Sequence, residues 1–224
     1  MKPFNARAVV ALLGFAAAPV LSAASVNASC TGVPLSNTEL SASITCPQFG
    51  GSNLTQIDIA FSGAIEGAIT LTNDGATDQN VSGSTESQFF LGLLGGFVIP
   101  SPLFSATFDT GVVSLGAGTS QTFGGLTGSA NGNITNTSAG TFAAYSGAGS
   151  FSIPVSTLTG LTVTGGGGQI QAGQTTQASI DAVVTYTFED QPPPPGEVPE
   201  PGTLAITGIG ALALGFAGRR RPRS

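Results

Sequence analysis

Wherever the apolar residues of this chain keep a regular spacing between residues 30 and 190, that spacing is two, and no useful run repeats every three or four. A period of two belongs to extended chain, whose successive side chains point to opposite faces, so the body is confined to β-structure. In Leu54–Phe61, Thr55, Ile57, Ile59 and Phe61 share the face that can meet a core, while Leu54, Gln56, Asp58 and Ala60 share the other. Ser62-Gly63 reads as a turn into a second strand, Ala64–Leu71, with Ile65, Ile69 and Leu71 in phase and Gly67 weakening its middle. Asn73-Asp74-Gly75 closes that segment with strong turn chemistry. Residues 88–99, ended by Pro100 and Pro102, read as a strand running into a loop. Further strands are expected over 104–113, 121–126, 149–155 and 177–188, with Gly165–Gly168 a flexible turn. In the last strand Ala178, Ile180, Ala182, Val184, Tyr186 and Phe188 fall on one face. Short strands with frequent turns predict an antiparallel β-sandwich, jelly-roll or Ig-like, with helix only at the two termini.

Charge narrows the chemistry further. The basic residues are Lys2, Arg7, Arg219, Arg220, Arg221 and Arg223, and the chain has no histidine. Of the 12 acidic residues only Glu197 and Glu200 lie beyond the body, which leaves ten acids and no base between Ala8 and Gln191. No ion pair between side chains can form there, so burial and hydrogen bonds must hold the domain. A cationic groove for nucleic acid is excluded. Without histidine there is no Ser-His-Asp or Cys-His nucleophile and no histidine-ligated zinc. Without lysine in the body there is no Schiff base and no phosphate-binding loop. No cofactor is expected.

Two kinds of site remain open. Asp58, Glu66, Glu86, Asp109 and Asp181 lie in expected strands, and two of them could form a glycosidase-like carboxylate pair. The chain has no tryptophan, and its body has no arginine or histidine to hold a sugar, so solvated strand faces are the better reading. Asn73, Asp74 and Asp78 could offer oxygens to Ca²⁺, but their spacing fits an ordinary turn better than a calcium loop. Cys30 and Cys46, in an exported chain, predict a disulfide closing a short loop, worth about 3 kcal/mol by chain entropy.

The two ends read as addresses. Lys2 and Arg7 precede an apolar run, Ala8–Val20, and a small-residue region, Leu21–Ser29, which together form a secretory signal peptide. Cleavage after Ala23, Ala24 or Ala28 satisfies the small-residue rule. Ala28, with Val26 at the minus-three position, is preferred and sets the signal peptide at residues 1–28. Asn27-Ala28-Ser29 lacks the leucine of a lipobox before Cys30. The body then spans 29–190, and the proline run of residues 191–198 is a polyproline linker. Val198-Pro199-Glu200-Pro201 follows, then uncharged Thr203–Gly218 and the cluster Arg219, Arg220, Arg221 and Arg223. As a helix, Thr203–Gly218 would reach about 24 Å, enough to span a locally thinned bilayer, with the arginines held on the cytoplasmic side.

That order of motif, apolar helix and basic stop over 199–224 resembles the PEP-CTERM sorting signal of Gram-negative bacteria. The resemblance implies recognition of Pro199-Glu200-Pro201 by an exosortase, transient insertion in the inner membrane and removal of the tail. The body is similar to the choice-of-anchor E family. The likeness rests on Pro47-Gln48-Phe49-Gly50 with Leu54-Thr55, on Thr72-Asn73, on Phe142–Pro154 and on Val183–Phe188. Gly50-Gly51 stands where that family usually has an aspartate near the phenylalanine. The family brings a β-rich domain and no established activity.

The reading is a non-enzymatic surface or matrix protein, processed by signal peptidase and an exosortase and associated with exopolysaccharide in a biofilm. A two-carboxylate carbohydrate-acting enzyme and a calcium-stabilised adhesin are the alternatives.

Overall fold

A computed structural model describes residues 22–190, so the first part of the expected signal peptide, the linker 191–198 and the tail 199–224 lie outside the described residues. Ten strands follow one another: β1 Ala23–Ser29, β2 Val33–Asn37, β3 Ser41–Pro47, β4 Leu54–Asn73, β5 Gln79–Leu91, β6 Phe104–Asp109, β7 Val113–Leu115, β8 Ser120–Asn136, β9 Ser150–Gly165 and β10 Ile170–Glu189. They form two antiparallel sheets packed as a sandwich. The first runs β1-β10-β4-β8, with β2 also on β10. The second runs β3-β9-β5-β6, with β7 also on β5.

The alternation read from the sequence is what fills the space between the sheets. Ile57, Ile59, Phe61, Ile65, Ile69 and Leu71 of β4 and Ala178, Ile180, Val184 and Tyr186 of β10 are buried. They meet Ile44, Val81, Phe89, Ile153 and Val155 of the second sheet. At one end Phe49 closes the sandwich, its ring 5.3 Å from Tyr186 and 5.0 Å from Phe188.

The structure corrects the expected turn at Ser62-Gly63. Residues 54–73 are one strand, paired with β10 throughout, because Gly63 serves packing rather than reversal. A Cβ on Gly63 would sit 2.6 Å from the Phe104 ring and 3.1 Å from Phe89, whose rings pack 4.8 Å apart. The missing side chain is the slot for that aromatic pair. The turn at Gly165–Gly168 is present, and all four glycines take positive φ, where side chains are disfavoured.

Other boundaries moved outward. The strand expected over 121–126 continues to Asn136, the one expected at 149–155 runs to Gly165, and 104–113 divides into β6 and β7. Residues 92–99 lie beyond the end of β5, which instead begins at Gln79. Strands β2 and β3 were not foreseen. Residues 23–28, assigned from sequence to the signal peptide, form most of β1, and the compact unit begins at Ser22 rather than at residue 29.

Cys30 and Cys46 are joined. Cys30 follows β1 of the first sheet and donates its N–H to Ala182 at 3.0 Å, while Cys46 is fully buried in β3 of the second. The bond therefore ties one sheet to the other.

Candidate functional site

The outer face of the first sheet follows directly from the phase of its strands. With the apolar residues turned inward, β4 turns out Gln56, Asp58, Ala60, Ser62, Ala64 and Glu66. Its neighbour β10 turns out Ser179, Asp181, Val183, Thr185 and Thr187, and β8 turns out Thr127, Ser129, Asn131, Asn133 and Thr135. Register places these side chains in transverse rows. One row reads Asn27, Thr185, Asp58, Thr135 across β1, β10, β4 and β8. It is hydrogen-bonded at both ends: Thr185 Oγ1 donates to Asn27 Oδ1 at 2.9 Å, and Thr135 Oγ1 to Asp58 Oδ1 at 2.6 Å. Further along, Thr70 meets Thr122 at 2.9 Å and Thr72 meets Ser120 at 2.8 Å through their hydroxyls.

Between these rows the face dips. Ala60 and Ser62 floor an open depression of about 440 Å³, rimmed by Asn131, Asn133, Asp181 and the exposed Val183. The small floor residues create the space, and the rim offers amide donors, amide acceptors and a carboxylate. Together these amide and carboxylate groups can both donate and accept hydrogen bonds. Sequence reasoning did not single out Asn131 or Asn133. The available signal was the polar alternation Thr127, Ser129, Asn131, Asn133, Thr135, which is the outward phase of β8.

The five carboxylates do not converge. Asp58, Asp181 and Glu66 share the outer face of the first sheet, but their rows are four residues apart on β4, since Asp181 pairs with Ser62. At strand rise the spacing is about 13 Å, beyond the carboxylate separation of glycosidases. Glu86 and Asp109 stand diagonally on the second sheet, Ser84 being opposite Asp109 and Thr107 opposite Glu86. Their backbones are about 7–8 Å apart, but the groups have other tasks. Asp109 Oδ1 accepts the Gly111 N–H at 2.8 Å to shape a turn, and Glu86 accepts from Gln88 at 3.3 Å. The shallow depression beside Glu86, with Gln88, Leu158 and Thr159, does not reach Asp109.

Asn73, Asp74 and Asp78 are brought near one turn, yet each is engaged. Asn73 is fully buried. Its Nδ2 donates to the carbonyls of Thr77, Leu115 and Gly116 at 2.8, 3.1 and 3.1 Å, and its Oδ1 accepts the Gly75 N–H at 2.9 Å. Asp74 accepts from Gln171 at 2.6 Å, and Asp78 from the Ala117 N–H at 3.2 Å. Among the described residues no three acidic or thiol side chains gather as a metal site.

The groups with displaced pKa are tyrosines of the core. Burial pushes the Tyr186 phenol up to about 12 and raises that of Tyr145. Tyr186 donates to the Pro47 carbonyl at 2.5 Å and Tyr145 to that of Gly95 at 2.7 Å, so both anchor loops at the end of the sandwich.

Val198, Pro199, Glu200, Pro201 and the arginines 219, 220, 221 and 223 lie outside the described residues. Among the described residues no helix is long and apolar enough to cross a membrane. No curated protein matches the chain. Two solved structures are similar to it, those of the infectious bursal disease virus Gx and Gt strains. Each is 13% identical with a TM-score of 0.19, covering 87% and 88% of this chain and 48% and 49% of theirs. The chain thus spans about half their length, and a likeness that low bears on neither fold nor function. Residues 197–221 match the PEP-CTERM protein-sorting motif, so this chain carries a sorting signal behind its β-sandwich.

Proposed function

We propose that this chain is the precursor of a non-enzymatic surface or matrix protein, exported across the inner membrane of a Gram-negative cell, processed by signal peptidase and an exosortase, and retained in contact with exopolysaccharide. The sorting motif at residues 197–221 carries this reading. A tail of that kind is an address, and the work at the destination falls to the domain ahead of it. The Pro-Glu-Pro core, the apolar run and the arginines supply the recognition element, the transient span and the cytoplasmic stop in that order. Residues of the body that resemble choice-of-anchor E proteins fit a domain whose tail is the variable part.

The binding role rests on the polar outer face of the first sheet, and the non-enzymatic part on the dispersal of the carboxylates. Ten acids with no base also suit a matrix environment, where net negative charge keeps the domain soluble.

Fractionation of the native host with and without its exosortase gene tests the reading, with intact mass of each product. A species lacking the arginine tail in the surface or extracellular fraction, dependent on exosortase, is expected. A full tail in the inner membrane of both strains refutes sorting. If sorting holds but Asn131→Ala/Asn133→Ala leaves retention by purified exopolysaccharide unchanged, the binding face is wrong.

A further inference from the structure

We propose that signal peptidase cuts this chain between Ala24 and Ser25, so that Ser25–Ser29 of strand β1 stay with the mature domain; this rests on the export reading above. Small-residue spacing alone prefers the Ala28–Ser29 bond, but the fold opposes that cut. Strand β1 pairs residue by residue with β10, from Ala23 opposite Glu189 to Ser29 opposite Val183. The pairing extends past both ends, with the Asp190 N–H on the Ser22 carbonyl at 3.1 Å and the Cys30 N–H on that of Ala182 at 3.0 Å.

Along Val183–Glu189 one edge of β10 is covered by β4 and the other by β1, while β2 reaches only Gln177–Ile180. A cut after Ala28 would strip that second edge and expose a row of unpaired N–H and C=O groups on a strand at the centre of the core. Such bare edges recruit other chains. It would also remove Ala28, which packs against the core, and Asn27, the partner of Thr185. Cys30 would become the second residue of the chain, leaving the inter-sheet disulfide on a fraying end.

The Ala24–Ser25 bond gives up only the Ala23 and Ala24 pairings and the Ser22 carbonyl contact, and keeps Asn27, Ala28 and five residues ahead of Cys30. Ser22 and Ala24 place small residues at the minus-three and minus-one positions, whereas a cut after Ala23, which the sequence reading also allowed, is small only at minus one and puts Leu21 at minus three. Ser25–Ser29 then remains on β10. The composition that makes β1 resemble a cleavage region, Ala-Ala-Ser-Val-Asn-Ala-Ser, is the composition of a thin edge strand.

The test is N-terminal sequencing of the full chain expressed in a Gram-negative host, on product recovered outside the inner membrane. A sequence beginning Ser25-Val26-Asn27 is expected. A start at Ser29, or at any other internal residue, overturns the assigned bond and leaves export standing. If no product reaches that fraction and the chain retained in the cell still begins at Met1, export itself is overturned and the assignment with it. Val26→Arg, which bars Ala28 from serving, is expected to leave the cut in place, and Ala24→Arg to abolish or displace it. The reverse pattern overturns the proposal. A chain engineered to start at Ser29 is expected to melt at lower temperature than one starting at Ser25; equal melting would remove the structural reason.

Discussion

Asn73 offers the sharpest test of how the turn after β4 is built, because a hydrogen-bonding role and a calcium role predict opposite outcomes. Its two amide hydrogens are shared among three carbonyls and its oxygen holds the Gly75 N–H. Asn73→Ala removes about three net hydrogen bonds at about 1 kcal/mol each. It also strands the buried Leu115 carbonyl, for a total near 3–5 kcal/mol. In a domain of this size that lowers Tm by roughly 10 °C. Asn73→Asp is expected to cost more than alanine. It keeps the acceptor for Gly75 but turns a carboxylate oxygen toward three carbonyl oxygens, in a site with no solvent exposure. Thermal melting of wild type and both variants, with saturating Ca²⁺ and with chelator, reads the two roles apart. The expected result is the order wild type, alanine, aspartate, unmoved by Ca²⁺. If Ca²⁺ raises the wild-type Tm and Asn73→Asp raises it further, the oxygens serve a cation and the reasoning fails.

Gly63→Val drives a side chain into the Phe104 ring, and overpacking of about 1–3 kcal/mol should show as a lower urea midpoint, with Gly63→Ala less affected. Replacing both Cys30 and Cys46 by alanine should cost about 3 kcal/mol and should match the loss produced by reducing the wild type. Tyr186, held protonated by burial, binds its proton more tightly folded than unfolded. Its contribution is therefore complete below pH 10, the usual phenol value, and lost as pH climbs toward about 12. Absorbance at 295 nm should show both tyrosines ionising above the usual range, with Tyr186→Phe deleting the higher step. A transition at the ordinary value would place the ring in water.

Much of this protein was legible because the information is local. Alternation in Leu54–Phe61 and Ala178–Phe188 showed which side chains turn inward, and Ile57, Ile59, Phe61, Ala178, Ile180, Ala182, Val184 and Tyr186 are buried in the sandwich, whereas at the strand ends Thr55 is exposed and Phe188 only partly covered. The two cysteines announced their bond. The sorting tail is a linear word, readable in order without a fold.

Tertiary structure decided what depends on a distant partner. Gly63 looked like a turn because glycine beside serine is turn chemistry locally, but the ring that needs its space arrives from Phe104 on the other sheet. Strand β1 is invisible as a strand because its small residues acquire that identity only when β10 lies alongside, more than a hundred residues later. The carboxylates could be named from sequence, but their separation depends on register, and register placed Asp58, Asp181 and Glu66 in separate rows. The depression between Asn131, Asn133 and Asp181 exists because β8 and β10 bring larger side chains to either side of Ala60 and Ser62 on β4, which no single segment encodes. Burial phase is a property of one strand, whereas a slot, an edge or a site is a property of several.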